Sequence, residues 1–537
     1  MYDYIIIGAG SAGCVLANRL SEDPAVKVLL LEAGGPDKNL MIRVPAGFGK
    51  LQKPSVNWCF TTAPQKQLAN RQLWYPQGRV LGGSSSINAM IYIRGQRQDY
   101  DRWADLGIEG WSYAEVLPYF KRSEDNERLN DGYHGFGGPL LVSDQISPNI
   151  MSKAFIVAAQ QAGHTFNPDF NGAVQKGTGQ YQVTMRAGRR CSTADAFLHP
   201  IFKRNNFSAI TKARTTRILV ENGRAVGVEY MLGSQKQTAR AQREVILSTG
   251  AVGSPWLLQL SGIGPADELK THGIDVVHDL PGVGKNMQDH LDSYIVVNCR
   301  QPVSYNGQDR LPAAIKHGIQ YFLYKNGPAT SVVAESGCFA SADPGVDRPD
   351  IQMHILPAMV VNAGRTYVPG HGITINTCVV RPKSRGTVTL ASADPATDPV
   401  IDPNFHDVEE DKKMSVAGVR LGREIVAQAA LQPFLGTERF PGPAAKTDDD
   451  ILAYIRRYSS VDYHPVGTCK MGTDDMAVVD SKLRVRGLEG LRVADASIMP
   501  TLISGNTNAP SIMVGEKGAA IIKEEEPLRE DWEAAGI

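Results

Sequence analysis

The first thirty-five residues contain a glycine-rich turn of the kind that binds the phosphates of a dinucleotide. A short apolar run at residues 4–7 predicts a buried parallel strand, and a second run at 26–31 closes on Glu32. Between them, three glycines open a segment with helical apolar spacing: Gly8, Gly10 and Gly13. In such a turn the first glycine permits the tight bend, the second lets the backbone approach a pyrophosphate, and the third lets helix and strand pack closely. The helix N-terminus adds unpaired N–H groups for the phosphates.

Glu32 limits the choice of dinucleotide. A carboxylate at the end of the second strand can accept hydrogen bonds from both ribose hydroxyls, which argues against a 2′-phosphate. The stretch therefore predicts an adenine dinucleotide and leaves FAD and NAD both open. The alternative is a glycine turn that binds no ligand.

A second tract of small residues at 78–88 (GRVLGGSSSIN) also favours a ligand. Consecutive small residues expose backbone N–H groups in a concave run that suits a phosphate or a flat ring. A flexible linker is the alternative, and the apolar residues Val80, Leu81 and Ile87 weaken it.

The remaining pattern predicts the elements that must position these loops. Helices are expected over 103–120, 148–163 and 511–523, and a β-meander over 209–211, 216–220 and 225–231. Residues 244–250 predict another buried strand, followed by a helix with Ser254 as its N-cap. Alternating strands are expected at 372–380 and 386–390, and residues 490–495 repeat the apolar run that ends in an acid.

Because the predicted strands of one parallel sheet are separated by long stretches of sequence, we expect a discontinuous domain with a second domain inserted into it. The predicted fold is α/β: a Rossmann-type dinucleotide-binding domain with an inserted α+β substrate-binding domain built on an antiparallel sheet. The expected boundaries are 1–160, 205–298 and 485–537 for the first domain. The second comprises 161–204 and 299–484.

Composition excludes several classes of protein. Lys+Arg and Asp+Glu are 56 each, so no electrostatic argument favours a nucleic-acid partner. The seven cysteines are scattered without a C-x-x-C pair, which predicts neither a disulfide framework nor a zinc site and suits a reducing compartment. No apolar run is long enough to predict a transmembrane helix, and the first strand leaves no room for a signal peptide. We therefore expect a cytoplasmic protein, with peripheral contact to the inner membrane left open, and no metal.

Four stretches together resemble the glucose–methanol–choline oxidoreductases, a family of flavoproteins. They are GAGSAG with LEAGG at the N-terminus, GRVLGGSSSIN at 78–88, GAVGSPWLLQLSGIGP at 250–265, and HPVGTCKMG at 464–472 with LRVADASIMPTLISGNTNAP at 491–510. The resemblance spans nearly the whole chain and is strongest to the bacterial FAD-dependent alcohol and choline dehydrogenases. It implies FAD.

The resemblance also assigns cofactor contacts position by position. They comprise the ADP-binding turn and ribose acid (Gly8, Gly10, Ser11, Ala12, Gly13, Glu32, Ala33), the loop along pyrophosphate and flavin (Gly82, Gly83, Ser84, Asn88, Ala89, Met90), the end of the late strand (Asp495, Ala496) and the start of the last helix (Asn508, Ala509). Thr215 in the meander is expected to offer backbone contacts to adenine. Members with covalent flavin attach it through a histidine where this chain has Ile87, so non-covalent FAD is implied.

The catalytic residues also follow from the resemblance. Oxidising an alcohol requires a base within hydrogen-bond reach of the hydroxyl, and His464 occupies the family's catalytic position. Asn506 occupies the second position, where an amide can hold the substrate oxygen as charge develops; a helix N-cap is the alternative. Glu335 and Tyr463 are expected substrate contacts, although Glu335 could equally pair with an arginine. His290 is interpreted as structural, and the other histidines as surface or packing residues.

The predicted function is FAD-dependent oxidation of a primary alcohol to the aldehyde. His464 takes the proton, flavin N5 takes the hydride, and the electrons pass to a quinone or other acceptor. A choline dehydrogenase and an oxidase using oxygen are the near alternatives. A lyase of the same family that keeps FAD without redox chemistry, a nicotinamide dehydrogenase and a binding protein with an inactive site are more distant ones.

Overall fold

The structure is a computed structural model that describes residues 1–343, 345–362, 364, 366 and 368–531. Its α-helices are α1 (Ser11–Leu20), α2 (Leu40–Arg43), α3 (Arg97–Asp105), α4 (Tyr113–Ser123), α5 (Ile150–Gln161), α6 (Gly250–Leu260), α7 (Ala266–Thr271), α8 (Ala313–Tyr324), α9 (Glu409–Val426), α10 (Asp448–Tyr458) and α11 (Asn508–Ile522). The strands of its two large sheets are β1 (Tyr2–Ile7), β2 (Val28–Glu32), β3 (Gly177–Gln180), β4 (Phe207–Thr211), β5 (Ala213–Glu221), β6 (Arg224–Leu232), β7 (Gln235–Leu247), β8 (Leu291–Cys299), β9 (Ser336–Ala340), β10 (Ile351–Leu356), β11 (Gly372–Val379), β12 (Leu435–Phe440), β13 (Ser460–Val461) and β14 (Leu491–Val493). Smaller strand pairs join 60–61 to 74–75, 124–126 to 140–142, 185–186 to 189–190, 263–264 to 278–279 and 387–389 to 400–402.

The first large sheet has a parallel core in the order β4–β2–β1–β7–β14. Except for β4, its strands are the apolar runs that the sequence predicts for such a sheet, and Ile5 lies between Leu29 and Val245 in register. Helices α1 and α11 pack on each other beside this sheet, so the first and last helices share one core. The α/β class with a discontinuous dinucleotide-binding body is confirmed.

Strand β7 belongs to two kinds of sheet at once. Its first half pairs antiparallel with β6, as part of the meander β5–β6–β7, and its second half pairs in parallel with β1 and β14. The meander turn between β5 and β6 falls at Asn222–Gly223, and both residues have positive φ. One expected meander strand, 209–211, instead forms the edge of the parallel sheet as part of β4.

The second large sheet is antiparallel throughout, in the order β12–β8–β11–β10–β9–β3, with β13 paired to β8. Its apolar face packs against α5, α9 and α10, which together form a separate core. This is the antiparallel body that the sequence predicts.

Packing divides the chain differently from the expected boundaries. Helix α5, which ends at Gln161, packs on the antiparallel sheet although it was expected in the first domain. Conversely, residues 191–201 and 466–485 contribute buried side chains to the first core. The sequence pattern could not show this because amphipathic segments do not indicate which sheet they cover.

Two helix predictions also differ from the structure. The expected helix over 103–120 is broken between α3 and α4, where Gly107 and Gly110 have positive φ. Helix α6 begins at Gly250 rather than after Ser254, whose hydroxyl donates instead to Asp495 at 2.5 Å. Among the described residues no helix has the length and apolarity needed to cross a bilayer.

Candidate active site

A cavity of about 650 Å³ lies where the carboxyl ends of the parallel strands meet. Most of the residues expected at the site line it: Gly8, Gly10, Ser11, Ala12, Glu32, Ala33, Gly83, Ser84, Asn88, Ala89, Met90, Thr215, Tyr463, His464, Asp495, Ala496, Asn506 and Asn508. Four expected residues are not among its lining: Gly13, Gly82, Ala509 and Glu335. Ligands of open α/β sheets bind at this edge.

The glycine turn fits a bound pyrophosphate. A Cβ on Gly8 would lie 2.5 Å from the Ser248 carbonyl oxygen, and one on Gly13 would lie 1.9 Å from the Gly8 oxygen. Packing of the protein itself therefore requires both glycines. At Gly10 the nearest protein atom would be 3.7 Å away, so the protein leaves that surface open to the cavity. The second loop approaches closely, since a Cβ on Gly83 would lie 2.7 Å from the Gly10 Cα.

Two buried carboxylates border the same cavity. Glu32 accepts hydrogen bonds from the backbone N–H of Ala9 (2.9 Å) and Gly34 (2.7 Å), and burial raises its pKa to about 7. Asp495 accepts from Gly250 N–H at 2.9 Å, and burial raises its pKa as well. Carboxylate oxygens can accept more than one hydrogen bond, so both residues suit hydroxyl donors of a ribose or ribityl chain.

Thr215 supplies an independent sign of a ligand. Its Oγ1 is buried without a hydrogen-bond partner in the structure, although it belongs to the cavity wall. Buried polar groups in native proteins are rarely left unpaired, so this atom indicates a missing partner. With the open surface at Gly10, it shows that the residues present fit an adenine dinucleotide.

A buried arginine holds the second loop in place, and sequence reasoning missed it. The Arg190 guanidinium donates to the Asn88 backbone oxygen (2.7 Å), to Asn88 Oδ1 (2.8 Å) and to the Ser85 oxygen (3.0 Å). Burial lowers the pKa of Arg190 to about 9. This side chain fixes the orientation of Asn88 at the cavity wall. Nothing in the R-R-C stretch around it signalled that one arginine would be buried.

His464 lies in a line of hydrogen bonds between His290 and Asn506. His464 Nδ1 is 3.0 Å from His290 Nδ1, and His464 Nε2 is 3.0 Å from Asn506 Nδ2. One oxygen of Asp289 accepts from the backbone N–H of both histidines, at 2.8 Å from His290 and 2.7 Å from His464. Tyr75 donates to the other oxygen of Asp289. The two rings are thus positioned through a single buried carboxyl group.

These contacts determine which nitrogen of His464 carries a proton. His290 Nε2 is 3.0 Å from the Val380 carbonyl oxygen, which can only accept, so His290 donates from Nε2. Burial lowers the pKa of His290 to about 4, so this ring is neutral and its Nδ1 accepts. His464 must then donate from Nδ1, with Asp462 Oδ2 as a second acceptor at 3.3 Å. Its Nε2 keeps a lone pair that faces Asn506 and the cavity.

The electrostatic setting keeps His464 neutral. Burial, and then the neighbouring His290 and His354, lower its pKa well below the ordinary value. Asn506 is oriented by Gln352, whose Nε2 donates to Asn506 Oδ1 at 3.2 Å. A neutral imidazole whose Nε2 lone pair faces the cavity can accept a proton, and the Asn506 amide beside it can donate to an oxygen.

Two other histidines have contacts at the site that the sequence did not predict. His290, interpreted as structural, bonds directly to His464, and His354, interpreted as a packing residue, lines the cavity. His354 pairs in register with Asn376, another cavity residue. The signal available in the sequence was the alternation of Gln352, His354 and Leu356 on one strand, which places all three on the same face.

Glu335 was expected to contact substrate, and the structure places it differently. It is fully buried, and its carboxylate accepts from Asn149 N–H (2.7 Å) and from the hydroxyls of Ser152, Tyr305 and Ser331 (2.6 Å each). These four donors surround the carboxylate, and Glu335 is not among the residues that line the cavity. Tyr463, the other expected contact, does line the cavity.

Apart from Tyr463, one polar part of the cavity wall was not predicted. Asp292 and Asp462 line it with Tyr294, Tyr463 and Asn376. Asp292 Oδ1 and Asn376 Oδ1 have no hydrogen-bond partner. Burial, together with the nearby Asp289, raises the pKa of Asp292 to about 8. Burial, followed by Asp292 and Asp289, raises that of Asp462 well above its ordinary value. The pair therefore holds a proton at neutral pH.

Comparison with known proteins identifies the family. Residues 2–292 match the N-terminal model of the GMC oxidoreductases, and residues 382–515 match the C-terminal model. The chain belongs to the GMC oxidoreductase family. The predicted resemblance is confirmed, and FAD is the cofactor of this chain.

Individual relatives align with this GMC oxidoreductase over almost its whole length. It is 49% identical to an alcohol dehydrogenase (acceptor) of Pseudomonas putida, over 97% of this chain and 96% of the relative. It is 44% identical to an oxygen-dependent choline dehydrogenase of Brucella melitensis, over 99% of this chain and 98% of that protein. Among solved structures, pyridoxine 4-oxidase from Mesorbium loti superposes with a TM-score of 0.90 at 31% identity, over 98% and 100% of the two chains.

Proposed function

We propose that this GMC oxidoreductase is an FAD-dependent alcohol dehydrogenase that oxidises a primary alcohol to the aldehyde. The observation that supports it most is the Nε2 lone pair of His464, held beside the Asn506 amide at the wall of the cavity. Its relatives include enzymes named as alcohol and choline dehydrogenases. An oxidase using oxygen and a non-redox lyase of the same fold are the alternatives.

The cofactor would be held without a covalent bond. The glycine turn and Glu32 would bind the ADP half, Thr215 the adenine, and the second loop with Asp495, Ala496 and Asn508 the flavin half. Ile87 lines the cavity where covalent members carry a histidine, and an alkyl side chain cannot attach flavin. Bound FAD supplies the acceptor for the hydride that leaves the alcohol carbon with its electron pair.

His464 performs the proton step in this proposal. The O–H bond of the alcohol breaks, its proton passes to Nε2 of the neutral His464, and the oxygen keeps the electron pair that becomes part of the carbonyl. Asn506 donates from Nδ2 to that oxygen while negative charge develops, an effect worth about 3 kcal/mol for one oriented donor. The imidazolium that forms shares its Nδ1–H with His290 and Asp462, and it returns the proton to solvent.

The cavity favours an uncharged alcohol over choline. Aliphatic residues form part of its wall: Ile91, Val332, Val333, Ala334, Leu356 and Val360. An anion would favour a quaternary ammonium, but Glu335 does not line the cavity and raised pKa values favour the neutral forms of Asp292 and Asp462. The unpaired oxygens of Asp292 and Asn376 suit a hydroxyl donor on the substrate.

Electrons are proposed to pass to a quinone or a similar acceptor, in a protein located in the cytoplasm with peripheral contact to the inner membrane.

The test is anaerobic mixing of the purified holoenzyme with choline and with aliphatic, aromatic and polyether alcohols, while flavin absorbance is followed. We expect bleaching by uncharged alcohols and little by choline. Reoxidation is then timed with a quinone and with oxygen. No bleaching by any alcohol would refute alcohol oxidation, and reoxidation faster by oxygen would make it an oxidase.

A further inference from the structure

Helix α8 turns its apolar side chains towards solvent. Within this fully described helix only Tyr321 is buried, whereas Ile315 and Ile319 are each 55% exposed and Leu323 is 67% exposed. Phe322 and, just before the helix, Leu311 are exposed as well. Positions four and three apart share one side of a helix, so Ile315, Ile319, Phe322 and Leu323 form a continuous stripe. A stripe of this kind normally faces the core of a globular protein.

Exposed lysines lie on α8, after it and on a segment that contacts it. The sequence from Arg310 to Ala334 contains no acidic residue and carries Lys316 and Lys325, both exposed. Tyr321 donates a long hydrogen bond of 3.5 Å to the Arg43 oxygen, and this joins α8 to the segment 38–53. Three further exposed lysines lie on that segment: Lys38, Lys50 and Lys53. The chain as a whole is neutral, so this cationic excess is local.

The same helix lies next to the wall of the cavity. After α8, residues 328–330 pack on residues 45–50, where Phe48 and Gly49 line the cavity. Before α8, Tyr305 N–H donates to the Pro357 oxygen at 2.7 Å, and the flanking residues Leu356 and Ala358 line the cavity. The segment that carries α8 is therefore held by two parts of the cavity wall.

We propose that the exposed stripe of α8, with the lysines around it, is a docking surface for an anionic lipid bilayer. The helix would lie in the plane of the interface, its apolar side chains at the boundary of the acyl chains and its lysines among the headgroups. Lysine and arginine side chains extend along such an interface, and each strengthens binding to an anionic surface about fivefold.

The charge pattern favours a bilayer over a second copy of the chain. A symmetric dimer through α8 would bring like-charged lysines of the two copies together in a desolvated interface, which opposes association. Anionic headgroups complement the same charges. Docking to a bilayer does not depend on the proposed function. A docked enzyme could also receive a lipid-soluble electron acceptor from the bilayer, and only this consequence rests on the proposed function.

Vesicle co-sedimentation of the purified holoenzyme tests the proposal. We expect binding to vesicles of phosphatidylcholine with phosphatidylglycerol, weakening with salt, and little binding to phosphatidylcholine alone. Replacing Ile319, Phe322 and Leu323 by serine should reduce binding at least tenfold. Replacing Lys316 and Lys325 by glutamine should reduce it about tenfold or more for anionic vesicles. The control Leu232→Ser removes a 41% exposed leucine from the meander and should leave binding unchanged.

Other results would overturn the proposal. They are absence of binding to anionic vesicles, equal binding by the serine variant, or a wild-type dimer that the serine variant converts to monomer. Flavin absorbance and turnover with a soluble acceptor show whether each variant is folded. If the serine variant does not fold, the glutamine variant decides. Loss of alcohol oxidation in the wild type would refute the proposed function and leave the vesicle result intact.

Discussion

The contact between His290 and His464 makes a quantitative prediction about catalysis. His290→Phe keeps the ring shape but removes the acceptor 3.0 Å from His464 Nδ1, leaving only Asp462 Oδ2 at 3.3 Å. A neutral hydrogen bond contributes about 0.5–1.5 kcal/mol net, which corresponds to about a two- to thirteenfold change in an equilibrium or a rate. Without that acceptor, the His464 tautomer that carries its proton on Nδ1 and its lone pair on Nε2 is favoured less strongly. We therefore expect alcohol to reduce the flavin about two- to thirteenfold more slowly.

The same substitution has a separate effect on stability. The Val380 oxygen loses its donor, and an unpaired buried group costs about 1–3 kcal/mol. His406→Asn is the matched control, because His406 is a buried histidine that bonds to Ser415 and does not line the cavity. Asparagine tolerates the positive φ of that residue. The control should lower stability and leave flavin reduction unchanged.

Anaerobic stopped-flow reduction, with FAD content measured from absorbance, separates the two effects. The His290→Gln variant offers a carbonyl acceptor and should recover part of the rate. Full-speed reduction in His290→Phe would refute the assigned tautomer. A loss beyond about a thousandfold would also refute it, because one neutral hydrogen bond cannot account for so much.

Three further predictions follow from the site. His464→Ala should retain FAD but slow flavin reduction by about 10²–10⁴-fold, the range for a general base; an unaltered rate would remove that assignment. Glu32→Ala should weaken FAD retention, because the ribose loses its acceptor; equal occupancy after dialysis would contradict the ribose contact. Asp292→Asn should stabilise the protein at alkaline pH. Its folded pKa is raised to about 8, so the native state binds a proton that the unfolded chain releases above about pH 4, and stability is lost as the pH rises towards about 8. The melting-temperature gain of the variant should therefore be larger at about pH 9 than at about pH 6, and an equal gain would contradict the raised pKa.

The elements of the nucleotide site could be predicted because their signals are local. A buried strand that stops at Gly8, a turn with three glycines and a second strand that stops at Glu32 each carry their own pattern. The late strand at 491–493 was found for the same reason, since its apolar run again ends in an acid. Local patterns of this kind require no knowledge of tertiary contacts.

The polar interior of the site could not be predicted in the same way. Asp289, Arg190 and Asp292 look like ordinary charged residues until packing buries them. Their partners lie far along the chain, as when Asp289 bonds to the backbone of His464. The hydrogen bond of His290 to His464 could not be predicted for the same reason: His290 lies just before β8 and His464 shortly after β13, far apart in the sequence.

Residues at the two ends of the chain build one nucleotide site, and this has a consequence for biosynthesis. Ser11 donates to Asn508 Oδ1 at 2.7 Å, and β1 reaches β14 through β7. At ribosomal rates of about 5–20 residues per second, about 24 to 96 seconds separate the emergence of Gly13 from that of Asp495. Throughout that interval the nascent polypeptide lacks Asp495 and the start of the last helix, which form part of the cavity wall. Complete enclosure of the cofactor must therefore wait for the final helix, and we expect a chain truncated before α11 to retain FAD poorly.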